Sequence, residues 1–136
     1  MPDSVNNQEA WNYIENRFGV ERTDLEYYRI VERSGDYWLT TGETELETVT
    51  EGFRFLRATG QGLKPTTYAL QFLDGSITRN RFSVGREQLL KLLRREQMIE
   101  AELEEEGYVA IEFNSRVIGC GMYRDGVVSS RIPKGR

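Results

Sequence analysis

The sequence predicts an α+β protein: a small mixed β-barrel with one main helix, preceded by a helix-plus-hairpin subdomain. Three observations carry this expectation. Trp11, Ile14 and Phe18 recur at helical spacing ahead of a tyrosine-rich, strand-like stretch. Short alternating runs bounded by Gly, Asn and Asp fill most of the chain after residue 50. A leucine stripe, Leu89, Leu92 and Leu93, interrupts those runs once. Short strands around a single helix suggest a small, partly closed barrel.

Residues 1–6 are polar, and a helix is expected from about Asn7 to Phe18, with Asn7 as N-cap and Gly19 as its stop. Glu26 to Thr41 reads as two strands about Ser34-Gly35-Asp36. Tyr28, Ile30 and Val31 supply the first and Tyr37, Trp38 and Leu39 the second. This unit is too small to stand alone and should lean on the rest of the chain, with Trp11 and Trp38 as core residues rather than stacking platforms. Gly42 to Glu47 is acidic and linker-like, so the two units divide as 1–46 and 47–136.

In the second unit, Phe53 and Phe55 alternate with Arg54 and Leu56 as a strand. Gly60-Gln61-Gly62 is a turn, and Thr66 to Leu73 is expected as a strand with Pro65 at its start. Asp74-Gly75 signals a hairpin, and Ile77 to Val84 a third strand carrying Arg79 and Arg81 on one face. Ser83 caps a helix beginning near Gly85, with Leu89, Leu92, Leu93 and Gln97 as its stripe and Arg94 and Arg95 near its C-terminus. From 96 to 107 the chain is open between helix, acidic loop and an edge strand in which Ile99, Ala101 and Leu103 alternate with glutamates. Three strands close the chain. Val109, Ile111 and Phe113 alternate with Tyr108, Ala110 and Glu112, and Asn114-Ser115 and Asp125-Gly126 are the turns.

The chain's 136 residues suffice for a real core. Cys120 is the single cysteine and there is no histidine, which excludes an intramolecular disulfide, histidine-dependent triads and histidine-ligated zinc. No cofactor, metal site or catalytic group is expected, and Cys120, between Gly119 and Gly121, reads as barrel packing. No apolar run is long enough for a membrane span and no signal segment opens the chain, so a cytoplasmic protein without a membrane partner is expected. The net charge of −4 is unevenly spread: −7 over residues 1–50, +5 over 51–99, −5 over 100–106 and +3 over 107–136. The expected barrel segments thus carry +8, interrupted by an acidic run. That asymmetry is a better sign of a nucleic-acid surface than net charge, but on charge alone faces that merely solvate the domain are the readier explanation.

Gly107-Tyr108-Val109-Ala110, Arg116-Val117-Ile118-Gly119-Cys120-Gly121, Asp125-Gly126-Val127-Val128-Ser129-Ser130 and Ile132-Pro133-Lys134-Gly135-Arg136 occur in one order. Together they resemble the C-terminal PUA-like RNA-binding domain of Nol1/Nop2/Sun-type RNA cytosine-5 methyltransferases. Arg57, Lys64-Pro65-Thr66 and Tyr68-Ala69-Leu70 resemble its earlier strands and Leu89 to Arg95 its helix. Phe18-Gly19-Val20 and the tyrosine-rich strand look like the small pre-PUA unit. The catalytic domain of that family has no counterpart here. The resemblance implies a stand-alone, non-catalytic module for structured RNA, tRNA or rRNA, assisting RNA modification or ribosome biogenesis in trans, with an RNA methyltransferase or ribosomal protein as possible partner.

The candidate phosphate contacts are Arg54, Arg57, Lys64, Arg79, Arg81, Arg124, Arg131, Lys134 and Arg136. Tyr123 is a candidate stacking platform, with core or edge packing as its competing role. A protein–protein adaptor using the acidic first fifty residues and the Glu100–Glu106 run is the alternative.

Overall fold

A computed structural model describes residues 2–40, 52–60, 62–94 and 98–130. The fold is α+β, built on two sheets. Helix α1 (Pro2–Phe18) leads into a 3-10 turn at Arg22–Leu25 and then an antiparallel meander of β1 (Arg29–Arg33), β2 (Asp36–Thr40), β3 (Phe53–Thr59) and β4 (Gly62–Pro65). Helix α2 (Thr67–Phe72), β5 (Arg81–Ser83), α3 (Arg86–Leu93), β6 (Ile99–Glu100), β7 (Gly107–Phe113), β8 (Arg116–Arg124) and β9 (Val127–Ser130) follow. The second sheet is curled and mixed, in the order β5-β7-β8-β9-β6, with β5 parallel to β7 and its other pairings antiparallel. No helix among the described residues is long and apolar enough to cross a membrane.

The hairpins follow from their turns. Ser34-Gly35, Asn114-Ser115 and Asp125-Gly126 all have positive φ at both residues, the twist that suits a two-residue hairpin. Strand β7, expected to bury one face, is covered on both. Ala110 joins Cys120, Phe18, Ile14 and Leu70 in a first core, while Val109 and Ile111 join Leu92, Val128 and Tyr123 in a second. Ala110 and its cross-strand partner Cys120 therefore face the first core, and Gly119 and Gly121 lie across from Ile111 and Val109 on the second. At Gly121 an added Cβ would lie 2.8 Å from Ile111 Cδ1 and 3.1 Å from the Ser129 carbonyl, so the Gly-Cys-Gly run is packing, as its sequence suggests. Cys120 is buried, with a relative exposure of 1%.

Several assignments change, beginning with α1, which starts at Pro2 and so contains Asn7 rather than being capped by it. Thr66 to Leu73 is not a strand. Thr66 Oγ1 accepts the Ala69 N–H at 3.0 Å as an N-cap, and Ala69, Leu70 and Leu73 are buried as one side of a short helix. Asp74-Gly75 is a 3-10 turn rather than a hairpin. The strand expected over Ile77 to Val84 shrinks to Arg81–Ser83, because Thr78, Arg79 and Asn80 serve another element. Their groups satisfy the last carbonyls of α1. The N–H groups of Thr78 and Arg79 donate to Phe18 O at 2.9 and 3.1 Å, and Thr78 Oγ1 donates to Gly19 O at 3.0 Å. Arg79 Nη1 reaches Asn16 O at 2.8 Å and Asn80 Nδ2 reaches Arg17 O at 2.5 Å. A helix end leaves its last carbonyls unpaired, and here the chain itself fills them from sixty residues away.

Gly19 is the stop expected for α1: its φ is +67°, and its N–H closes on Glu15 O at 3.1 Å. In α3 the cap is Gly85, whose N–H donates to Gln88 Oε1, not Ser83. Leu92 alone of its stripe is fully buried, Leu89 is partly so and Leu93 is exposed. Gln97 and Arg95 lie outside the described residues. Of the alternatives for residues 96–107, the edge strand holds for Ile99–Glu100, which pairs with β9. The boundary between 46 and 47 also lies outside the described residues. The first core draws Trp11, Ile14, Ile30 and Leu39 from before it and Phe55, Leu70 and Ala110 from after it.

Candidate nucleic-acid interface

In an antiparallel meander, residues paired across strands share a face. Ile30 pairs with Leu39, Leu39 with Phe53 and Tyr37 with Leu56, and these look inward. Val31 pairs with Trp38 and Trp38 with Arg54 on the outer face. A bulge falls opposite Tyr37 and Trp38, where Phe55 is the extra residue of β3. It turns Phe55 and Leu56 into the core together and returns Arg57 to the outer face, opposite Lys64. Simple alternation along β3 would have put Leu56 outside with Arg54 and turned Arg57 inward. Asp36 fixes the bulge from the neighbouring strand: Oδ1 accepts the Ala58 N–H at 3.0 Å and Oδ2 lies 3.4 Å from Arg54 Nε.

The result is a sheet face holding Arg29, Arg33, Arg54, Arg57 and Lys64 around the half-buried Trp38, with Asp36 among them. The guanidiniums of Arg33 and Arg54 lie 5.5 and 5.6 Å from the Trp38 ring centre. Each such contact contributes about 0.5–1 kcal/mol at an exposed site and holds the guanidinium ready for a phosphate or a base plane. Trp11 is a core residue, as expected, whereas Trp38 stands outside both buried clusters, a correction to its expected role. Arg29, Arg33 and Trp38, which share this face, are not among the candidates drawn from the sequence. Their signal was the alternation Arg29-Val31-Arg33 facing Trp38.

Arg79 and Arg124 line a different region, a cleft of about 700 Å³ beside α1. Arg81 is built into the scaffold. Its guanidinium donates to Asp74 Oδ1 at 2.9 Å, to Asp74 O at 2.7 Å and to Glu112 Oε1 at 2.6 Å, and Ser83 Oγ donates to Glu112 as well. Burial opposes the charge on Arg81, but these carboxylates outweigh it and raise its pKa. The same bonds act in reverse on the acids. Glu112 is lowered first by the Ser83 hydrogen bond and then by Arg81. Asp74, which burial alone would raise, is lowered by the Val117 N–H and Arg81. Donors so committed make Arg81 a structural tie between the Asp74 turn, β5 and β7 rather than a phosphate contact. Tyr123 is also structural, since its buried hydroxyl donates to Ala101 O at 3.3 Å and accepts the Leu103 N–H at 3.1 Å. Arg131, Lys134 and Arg136 lie outside the described residues.

Tyr68 and Phe72 on α2 join Phe53 and Tyr28 in edge-on aromatic contacts with centroids 4.6–5.4 Å apart, and both remain substantially exposed. No group of three or more acidic or cysteine side chains among the described residues is placed to hold a metal ion. Searches with protein-family models and against curated proteins found no match to this chain.

Proposed function

We propose that this chain is a non-catalytic, cytoplasmic RNA-binding protein that meets structured RNA, such as tRNA or rRNA, on the outer face of the β1–β4 sheet. The observation that carries the reading is the clustering of five cations around Trp38 on one pleated surface. Arginine forks suit phosphate oxygens, and an indole between them offers a stacking plane for an unpaired base. The resemblance of the last three strands to a PUA-like domain of RNA methyltransferases supports the same class of ligand, and a role beside an RNA-modifying enzyme or ribosomal protein follows from it. The adaptor reading ranks second because its acidic run is partly engaged within the chain, Glu106 accepting the Asp125 N–H at 2.8 Å.

An electrophoretic shift with a tRNA transcript at low salt tests the proposal. Trp38→Ala should weaken binding about tenfold, as loss of one stacking contact implies. Arg54→Ala with Arg57→Ala should weaken it further. Unchanged retardation in both variants would refute the sheet as the interface.

A further inference from the structure

The cleft beside α1 is separate from the sheet's outer face and is built around guanidiniums already fixed in place. Arg17, with an 11% exposed side chain, donates Nε to Tyr108 O at 2.8 Å and Nη2 to Glu105 O at 3.3 Å. Arg79 is anchored on Asn16 O at 2.8 Å. Both point their remaining charge at one carboxylate. Glu105 Oε1 lies 3.5 Å from Arg17 Nη1 and 3.7 Å from Arg79 Nη2, and its side chain is 57% exposed. Such distances are long for charge-assisted hydrogen bonds, which close to about 2.7–2.9 Å, so Glu105 is a loose and displaceable anion. The other two acids of the cleft are held elsewhere: Glu9 accepts the Tyr37 hydroxyl at 3.2 Å and Glu106 accepts the Asp125 N–H at 2.8 Å. Arg124 completes the basic side.

Tyr13, Leu63, Tyr108 and Met122 give the same cleft an apolar wall, with Tyr13 one helical turn before Arg17 and Tyr108 lending its carbonyl to Arg17 Nε. The Tyr13 hydroxyl is buried without a hydrogen-bond partner. Leaving a buried phenol unpaired costs about 1–3 kcal/mol, which a fold tolerates more readily where the group serves a site. A volume of about 700 Å³ lies within the range of small-molecule pockets.

We infer that this cleft binds a mononucleotide, whose phosphate takes the place of the Glu105 carboxylate between Arg17 and Arg79 and whose planar base lies against Tyr13, Tyr108 and Met122. A phosphate offers several oxygens to guanidinium forks where Glu105 offers one at long range, and the apolar wall accepts a ring that a bare anion lacks. The inference goes beyond the RNA reading of the sheet and stands if that reading fails. The nucleotide is either free or the phosphorylated end of an RNA strand.

Calorimetric titration of the whole chain with uridine 5′-monophosphate tests it, with uridine and inorganic phosphate as controls. The nucleotide should bind more tightly than either control. Arg79→Ala should weaken it about tenfold, the worth of one charged hydrogen bond. Glu105→Gln should tighten it about two- to fivefold by removing the competing charge, an outcome that a merely structural Glu105 would not give. Trp38→Ala should leave it unchanged, which separates this site from the sheet. Competition by an oligonucleotide with a 5′-phosphate, but not by its 5′-hydroxyl twin, assigns the occupant as a strand end; competition by neither assigns a free nucleotide. The proposal is overturned if nucleotide and nucleoside bind equally, if Glu105→Gln binds no tighter, or if neither the unaltered chain nor Glu105→Gln binds the nucleotide at about 10 mM, roughly tenfold weaker than a millimolar constant.

Discussion

At the scale of single residues, Gly19 does the most with the least. Its φ of +67° ends α1, and an added Cβ would fall 2.0 Å from Thr78 Oγ1, the hydroxyl that caps the Gly19 carbonyl. Gly19→Ala therefore adds backbone strain and expels the segment that satisfies the helix end. It should destabilise the fold by about 2–4 kcal/mol, seen as a lowered midpoint in urea unfolding with an unchanged slope. A loss under about 0.5 kcal/mol would mean that the cap is worth little. Gly19 was legible in the sequence as a helix stop, because Trp11, Ile14 and Phe18 end on it. Its partner was not. Thr78 lies 59 residues away, in a stretch whose composition suits a strand equally well. Trp38 teaches a related lesson: its residue type speaks for burial, and only the cross-strand register reveals that it shares a face with Arg54.

At the scale of elements, the chain was most readable where turn chemistry and alternation agree. The β7–β8–β9 run, with Asn114-Ser115 and Asp125-Gly126, forms where the sequence suggests. It was least readable where a local bond overrides propensity. In α2, Thr, Tyr and Phe favour a strand, but the Thr66 cap and the burial of Ala69, Leu70 and Leu73 select a helix. In β3, the bulge at Phe55 breaks the two-residue period, and no feature of Phe53-Arg54-Phe55-Leu56 announces it. The Arg81 tie joins such elements, and it makes a pH prediction. Asp74 and Glu112 both have depressed folded-state pKa values, so the unfolded chain binds more protons as pH falls. Their contribution is complete above the unfolded carboxylate range, about pH 5, and is lost progressively below about pH 4. Asp74→Asn with Glu112→Gln should lower stability at pH 7 and flatten the acid limb of a thermal-melting series between pH 3 and 6. An acid limb as steep as that of the unaltered chain would remove this tie from the account.

At the scale of the whole molecule, charge is sorted by surface although the sum is −4. Arg29, Arg33, Arg54, Arg57 and Lys64 gather on the outer side of one sheet, while Arg81 is committed inside and Arg79 and Arg124 turn to the cleft. The sequence's division into basic and acidic segments thus pointed to a basic surface, but put it on the strands after residue 50 alone. The β1–β2 hairpin supplies two of its arginines and the central tryptophan, from a segment whose net charge is negative. Segment sums conceal this because neighbouring residues of a strand point to opposite faces: Glu32 lies on the side of β1 opposite Arg33. The most direct measurement is the salt dependence of tRNA binding by fluorescence anisotropy, comparing the unaltered chain with Arg54→Ala/Arg57→Ala/Lys64→Ala. Each phosphate contact adds about 0.7–0.9 to the slope of log affinity against log salt. The account predicts a slope shallower by about two in the triple variant, with weaker binding at low salt. Equal slopes and affinities for the two proteins would contradict it.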